Sequence, residues 1–207
     1  MGRLGIGRIV LVSLLLAALW LVPQTALAAR FLGTDAPGLP AGERIDDDLY
    51  LIGNVAAVDG EVRRTLLALA QSLTVAGPIG GDLNAIAATV TVTGPVGGTA
   101  RLIGQTVTID GSVGWDVIGI GSTVSIPAGG RVGHDLILLT GGTVTVDGTV
   151  GGRLLGIVDT LVISGRVDGD VQVEAQRVEI RDGAQLGGAL RYSSPQPATI
   201  APGARIA

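Results

Sequence analysis

From residue 66 onward the chain alternates β-branched apolar residues with small polar ones, and it does so at nearly constant spacing. The runs Thr89-Val90-Thr91-Val92, Thr106-Val107-Thr108-Ile109, Thr123-Val124-Ser125-Ile126 and Thr143-Val144-Thr145-Val146 are versions of one another. Period-two alternation places every second side chain on one face, the signature of a strand with a single buried face. The inward positions are then Val90/Val92, Val107/Ile109, Val124/Ile126, Val144/Val146, Leu161/Ile163 and Val178/Ile180. The outward column is Thr91, Thr108, Ser125, Thr145, Val162 and Glu179.

The spacing defines units 66–82, 83–99, 100–116, 117–135, 136–153, 154–170 and 171–189, of 17, 17, 17, 19, 18, 17 and 19 residues. A looser unit, 46–65, precedes them, and 190–207 follows. A second apolar column falls later in each unit: Val62, Ile79, Val96, Val113, Val132, Val150, Val167 and Leu186. Gly usually follows it, and Asp82, Asp116, Asp135 and Asp170 stand two residues further on in four of the units. Glycine allows tight corners or positive φ, and Asp can bond backbone N–H groups at such corners. The two extra residues of 117–135 and 171–189 fall at Pro127-Ala128-Gly129-Gly130 and Asp182-Gly183-Ala184, where turns leave strand register intact.

A fixed period this short points to a solenoid. The unit cannot hold a helical hairpin and lacks the Leu/Asn ladder of leucine-rich repeats. The fold class expected is all-β, a single-stranded parallel β-helix of about 17–19 residues per rung. Nine stacked rungs about 4.8 Å apart make a rod on the order of 40 Å long.

Composition agrees with this. Gly contributes 34 of 207 residues and aromatics only 2%, so the core must be built from Val, Ile, Leu and Ala. The Gly shows no Gly-X-Y period, which excludes collagen. High hydrophobicity with low charge excludes a disordered chain. Cysteine is absent, which removes disulfides, thiolate metal sites and a Cys nucleophile. A net charge of −4 gives no electrostatic reason to bind nucleic acid.

The N-terminus reads as a secretory signal peptide over 1–28. Arg3 and Arg8 precede an apolar run of 14 residues, 9–22, and Ala26 and Ala28 place small residues before a cut. Its removal takes away two arginines and shifts the net charge from −4 to about −6. Residues 29–45, rich in Pro and Gly, read as a linker, and 46–207 as the β-helix domain.

Chemistry is sparse. His134 is the single histidine, and Asp135 beside it invites an acid/base reading. Yet His134 occupies the corner slot held elsewhere by Gly81, Gly98, Trp115 and Gly152, which favours an exposed corner residue. Asp82, Asp116, Asp135 and Asp170 could form a carboxylate column for Ca²⁺ or sugar chemistry. The column is broken by Thr99 and Arg153, and turn capping is the plainer reading. Sugar sites stack rings on aromatics, and past the leader the chain offers Phe31, Tyr50, Trp115 and Tyr192 alone. Gly80-Gly81 and Gly151-Gly152 lack the Lys-Ser/Thr of a phosphate loop. Glu61, Arg63 and Arg64 read as a solvated face or a rung protecting the core end. No catalytic, cofactor-binding or metal-binding residue is assigned, and no cofactor is expected.

The columns resemble those of the bactofilin family of bacterial polymer-forming cytoskeletal proteins. The residues that carry the resemblance are Thr-Val-Thr-Ile-Asp-Gly-Ser-Val-Gly-Trp-Asp (106–116), Val-Asp-Gly-Thr-Val-Gly-Gly (146–152) and Ile-Ser-Gly-Arg-Val-Asp-Gly-Asp (163–170). It covers roughly 46–189. The resemblance implies a right-handed solenoid and end-to-end assembly into filaments without nucleotide. Typical members are cytosolic, whereas this chain carries an export signal, so it looks more like the exported relatives. In those a membrane-spanning region often follows the β-helix. The last residues, 201–207, parallel 127–133, and the sequence stops inside a repeat, as a truncated sequence or a terminal cap would.

The expectation for function is therefore a non-enzymatic structural or scaffold protein of the cell envelope, exported to the periplasm or beyond. Its partners would be further copies of itself, joined through β-helix ends or faces, with membrane association through a missing C-terminal region. The residues at stake are core positions such as Val92, Val107, Ile109, Val146 and Ile163. An adhesin-like or carbohydrate-active extracellular β-solenoid is the alternative. A periplasmic sensor or spacer domain is a third.

Overall fold

The computed structural model describes residues 29–207, so the expected signal peptide lies outside the described residues. These residues form strands and turns without helix. One parallel sheet runs the length of the molecule. It takes in β1 (Ala29–Gly33), β4 (Asp48–Val58), β6 (Leu66–Val75), β7 (Leu83–Val92), β8 (Ala100–Ile109), β10 (Val117–Ile126), β12 (Leu136–Val146), β14 (Leu154–Ile163), β16 (Val171–Ile180) and β18 (Leu190–Ser193), in that spatial order. A second parallel sheet stacks the two-residue strands β9 (Ser112–Val113), β11 (Arg131–Val132), β13 (Thr149–Val150), β15 (Arg166–Val167), β17 (Gln185–Leu186) and β20 (Arg205–Ile206). Each circuit of the chain thus lays one long and one short strand on the circuit before it. The result is a parallel β-solenoid of about 10 turns with about 17 residues per rung.

Each long strand bends once. In β7 the buried positions are Leu83, Ala85 and Ala87, then Val90 and Val92, so the inward parity changes near the middle. β10 shows the same change, buried at Val117 and Gly119 and then at Val124 and Ile126. A rung therefore has three sides: two arms of the long strand and the short strand that follows the turn. All inward positions read from the alternation are buried, and so is the column from Val62 to Leu186. Because each apolar side chain stacks on its equivalents one rung away, as Val90, Val107 and Val124 do, aliphatic residues alone fill the core.

Residues 29–45 are a rung, not a linker. β1 pairs with β4, β2 (Gly38–Leu39) also pairs with β4, and β3 (Arg44–Ile45) pairs with β5 (Glu61–Val62). Leu39 and Ile45 enter the core columns, while Pro37 and Pro40 occupy turn positions that need no ladder N–H. The looser unit 46–65 is a full rung as well. Within the described residues the solenoid accordingly takes in the chain from Ala29 on, and its ten rungs span about 43 Å.

The insertions sit at bends. Four residues, 127–130, join β10 to β11, where Asp110 and Gly111 alone join β8 to β9. Asp182 and Gly183 widen the equivalent turn before β17. The extra residue of the 18-residue unit lies at 140–142, in the bend of β12. The glycines serve close approach more than unusual backbone. Among the described residues only Gly42 and Gly183 have positive φ, whereas a Cβ on Gly111 would strike the backbone carbonyls of Thr93 and Gly94 one rung below.

Candidate functional site

The corner aspartates form a fastening that runs up the rod. Asp48 Oδ1 accepts from the N–H of Thr65, Asp82 from Thr99, Asp116 from Asp135, Asp135 from Arg153 and Asp170 from Ala189, all between 2.8 and 3.0 Å. Every one of these bonds reaches forward 17 to 19 residues, to the same corner of the next rung. The aspartates thus cap corners as the sequence suggested, but between rungs and not within their own turn. Arginines complete several of them. Arg101 Nη1 lies 2.9 Å from Asp82 Oδ2, Arg153 Nη2 lies 2.6 Å from Asp135 Oδ2, and Arg191 pairs with Asp170. The Thr99 N–H and then Arg101 hold the Asp82 carboxyl below the usual carboxylate range. Arg153 lowers Asp135 against the opposing push of burial, and Arg191 with the Ala189 N–H lowers Asp170.

His134 is exposed on this column. Its Nδ1 lies 2.8 Å from Asp116 Oδ1, one rung back, and 3.8 Å from Asp135, its sequence neighbour. Trp115 packs beside it at 6.0 Å between ring centroids. Asp116, His134 and Asp135 lie close enough together to suggest a cation site. Part of the cluster is engaged within the fold: each Oδ1 accepts a backbone N–H, Asp116 Oδ1 also meets His134 Nδ1, and Arg153 takes Asp135 Oδ2. The cluster fastens neighbouring rungs together at an exposed corner.

Glu61, Arg63 and Arg64 lie near the first corners. Arg63 reaches Asp46 at 3.6 Å and Arg64 reaches Asp47 at 3.3 Å. The aromatic residues are dispersed. Phe31 stacks on Tyr50 at 5.9 Å near the N-terminal rung, Trp115 lies mid-rod and Tyr192 lies in the last rung. A concavity of about 640 Å³ opens over β14, β16 and β18 and is lined in part by Ile157, Glu174, Arg191 and Tyr192.

The outer faces are more regular than the corners. On the second arm, hydroxyls stack in two columns: Ser72, Thr89, Thr106, Thr123, Thr143 and Thr160, and beside them Thr74, Thr91, Thr108, Ser125 and Thr145. On the first arm, the outward column is aliphatic. Ile52, Leu69, Ile86, Ile103, Ile120, Leu139 and Ile157 are cross-rung neighbours in unbroken succession. Each is between 37 and 54% exposed. Gly33 bounds this ladder at one end and Glu174 at the other. Leu67, Ile118, Ile137 and Leu155 widen it in the column two residues earlier, which Asn84 and Arg101 interrupt. Soluble monomers rarely expose so long a contiguous apolar strip.

The sequence reading assigned its functional weight to core positions and did not find this ladder. Val92, Val107, Ile109, Val146 and Ile163 are wholly buried and offer nothing to a partner directly. The signal was present in Ile86, Ile103 and Ile120, which recur at the 17-residue period beside small residues. No protein-family model, curated protein or solved structure shows a significant match to the chain.

Proposed function

We propose that the protein is a non-catalytic structural element of the cell envelope, a rigid rod that assembles with copies of itself in the manner of an exported bactofilin-like scaffold. The observation that carries this reading is the continuous stack of ten aliphatic rungs, decorated by repeating faces and not by one differentiated cleft. Its corner aspartates join successive rungs, and its aromatics lie at three separate places along the rod. The export signal read in 1–28 and the bactofilin-like columns support the setting and the mode of use. The carbohydrate-active alternative would need acids and aromatic rings gathered on one face. The concavity over β14 to β18 brings together only Glu174 and Tyr192, beside Arg191.

Negative-stain electron microscopy of the purified protein, with sedimentation velocity over a range of concentrations, tests the proposal. Oligomers or filaments built from rods about 4–5 nm long are expected. A monomer at every concentration would sink it, as would a glycan screen returning a specific, saturable ligand.

A further inference from the structure

We infer that the aliphatic ladder on the first arm is a lateral docking surface for a second copy of the chain, face to face. This rests on the self-assembly reading above but names the surface, which is a side of the rod and not its ends.

Periodicity identifies the occupant. The ladder repeats an Ile or Leu at each rung, about every 4.8 Å. A partner must offer apolar side chains at the same spacing to interdigitate along its whole length, and another copy has that spacing by construction. Identical columns meeting this way form the dry, closely packed interfaces seen when like sheets stack. Size sets the strength of the contact. Seven rungs by five strand residues give a projected face of roughly 29 by 16 Å, so two copies bury about 930 Å², the area of a weak, reversible association.

Charge agrees as well. The single cation on this face within the ladder's span, Arg101, is drawn aside by Asp82 and lies near Asn84. A lipid surface fits less well. The chain is acidic, and within the ladder's span this face carries one cation, Arg101, while the aromatics Phe31 and Tyr50 sit at the Ile52 end alone and form no belt along the rod. The neighbouring arm bears hydroxyls and has no comparable reason to leave water.

In a two-fold face-to-face pair Ile103, on the middle rung of the ladder, faces its own copy whether the rods run parallel or antiparallel. Facing sheets lie about 10 Å apart, too far for a disulfide, so a bis-maleimide of that reach is the right probe. The chain has no cysteine, and Ile103→Cys is therefore the sole thiol.

The expected result has four parts. The wild type self-associates in sedimentation, Ile103→Cys is captured as a dimer, and Thr108→Cys on the hydroxyl face is not. Ile86→Glu, with its β-type circular dichroism intact, associates at least about 30-fold more weakly, the loss typical of a hot-spot residue. Should Ile86→Glu fail to fold, Ile120→Ser serves with the same expected direction. If the wild type associates while the Ile103→Cys link is missing and the ladder variants associate normally, the ladder assignment is wrong and the scaffold reading stands. A wild type that stays monomeric overturns both, and one that is monomeric but floats with phosphatidylcholine vesicles through the ladder replaces the second copy with lipid.

Discussion

Deleting residues 83–99 removes one whole rung, and the structure specifies what should follow. The ends left behind match. Leu66 would stack on Ala100, Ala68 on Leu102, Leu73 on Val107, Val75 on Ile109 and Ile79 on Val113, each an apolar pair already found one rung apart in kind. Asp82 keeps a corner N–H, exchanging that of Thr99 for that of Asp116. The removed segment carries no charge. The turns before Ile79 and Val113 are equally short, so no bend must stretch. At about 0.05–0.15 kcal/mol per residue, 17 residues account for about 1–2.5 kcal/mol of a stability that is typically about 5–15 kcal/mol. The variant should therefore fold, with a modestly lower urea midpoint and a rod about 5 Å shorter by small-angle scattering. Loss of the β-type spectrum, or a folded variant of unchanged length, would refute the claim that rungs are equivalent units.

Other perturbations separate core, corner and surface. Val107→Asp places a carboxylate in a fully buried column and should unfold the protein or lower its stability by at least about 3 kcal/mol, whereas Thr108→Asp on the outer column should shift it by less than about 1 kcal/mol, both read by chemical denaturation. Thr140 is 5% exposed, and its buried Oγ1 has no hydrogen-bond partner. Thr140→Val should raise stability by about 1 kcal/mol in calorimetry, and a loss would show that the hydroxyl has a role there. Because Asp82, Asp135 and Asp170 titrate below the ordinary carboxylate range in the folded state, their contribution is complete above about pH 4 and is lost as pH falls through the lowered values. Asp82→Asn keeps an acceptor for Thr99 while removing the charge, so it should flatten the acid limb of the urea midpoint against pH.

How much could be read in advance depended on contrast. The second arm was legible because its outward residues are Thr and Ser and its inward ones are Val and Ile, so chemistry and orientation coincide. On the first arm they do not. Leu66 points in while Leu67 and Leu69 point out, and Ile103 is exposed beside buried Leu102. An apolar residue on both faces erases the alternation, which hid the ladder. Residues 29–45 were misread for a related reason. Pro37, Gly38 and Pro40 carry the composition of a linker, yet only Leu39 and Ile45 need to reach the core for a rung to form. The corner aspartates showed their spacing but not their direction, since a bond to a residue 17 positions ahead has meaning only once the rungs are stacked.

That forward reach bears on how the rod carries load. The sheet bonds and the Asp corners all point along its long axis, and each rung touches only the rungs above and below. Tension along the axis passes through each rung-to-rung junction in series, so the weakest one sets the limit and a pulled end peels away circuit by circuit. Compression drives the same carbonyls and glycines into closer contact, and bending is shared by three sides at once. The molecule is built as a strut and not as a cable.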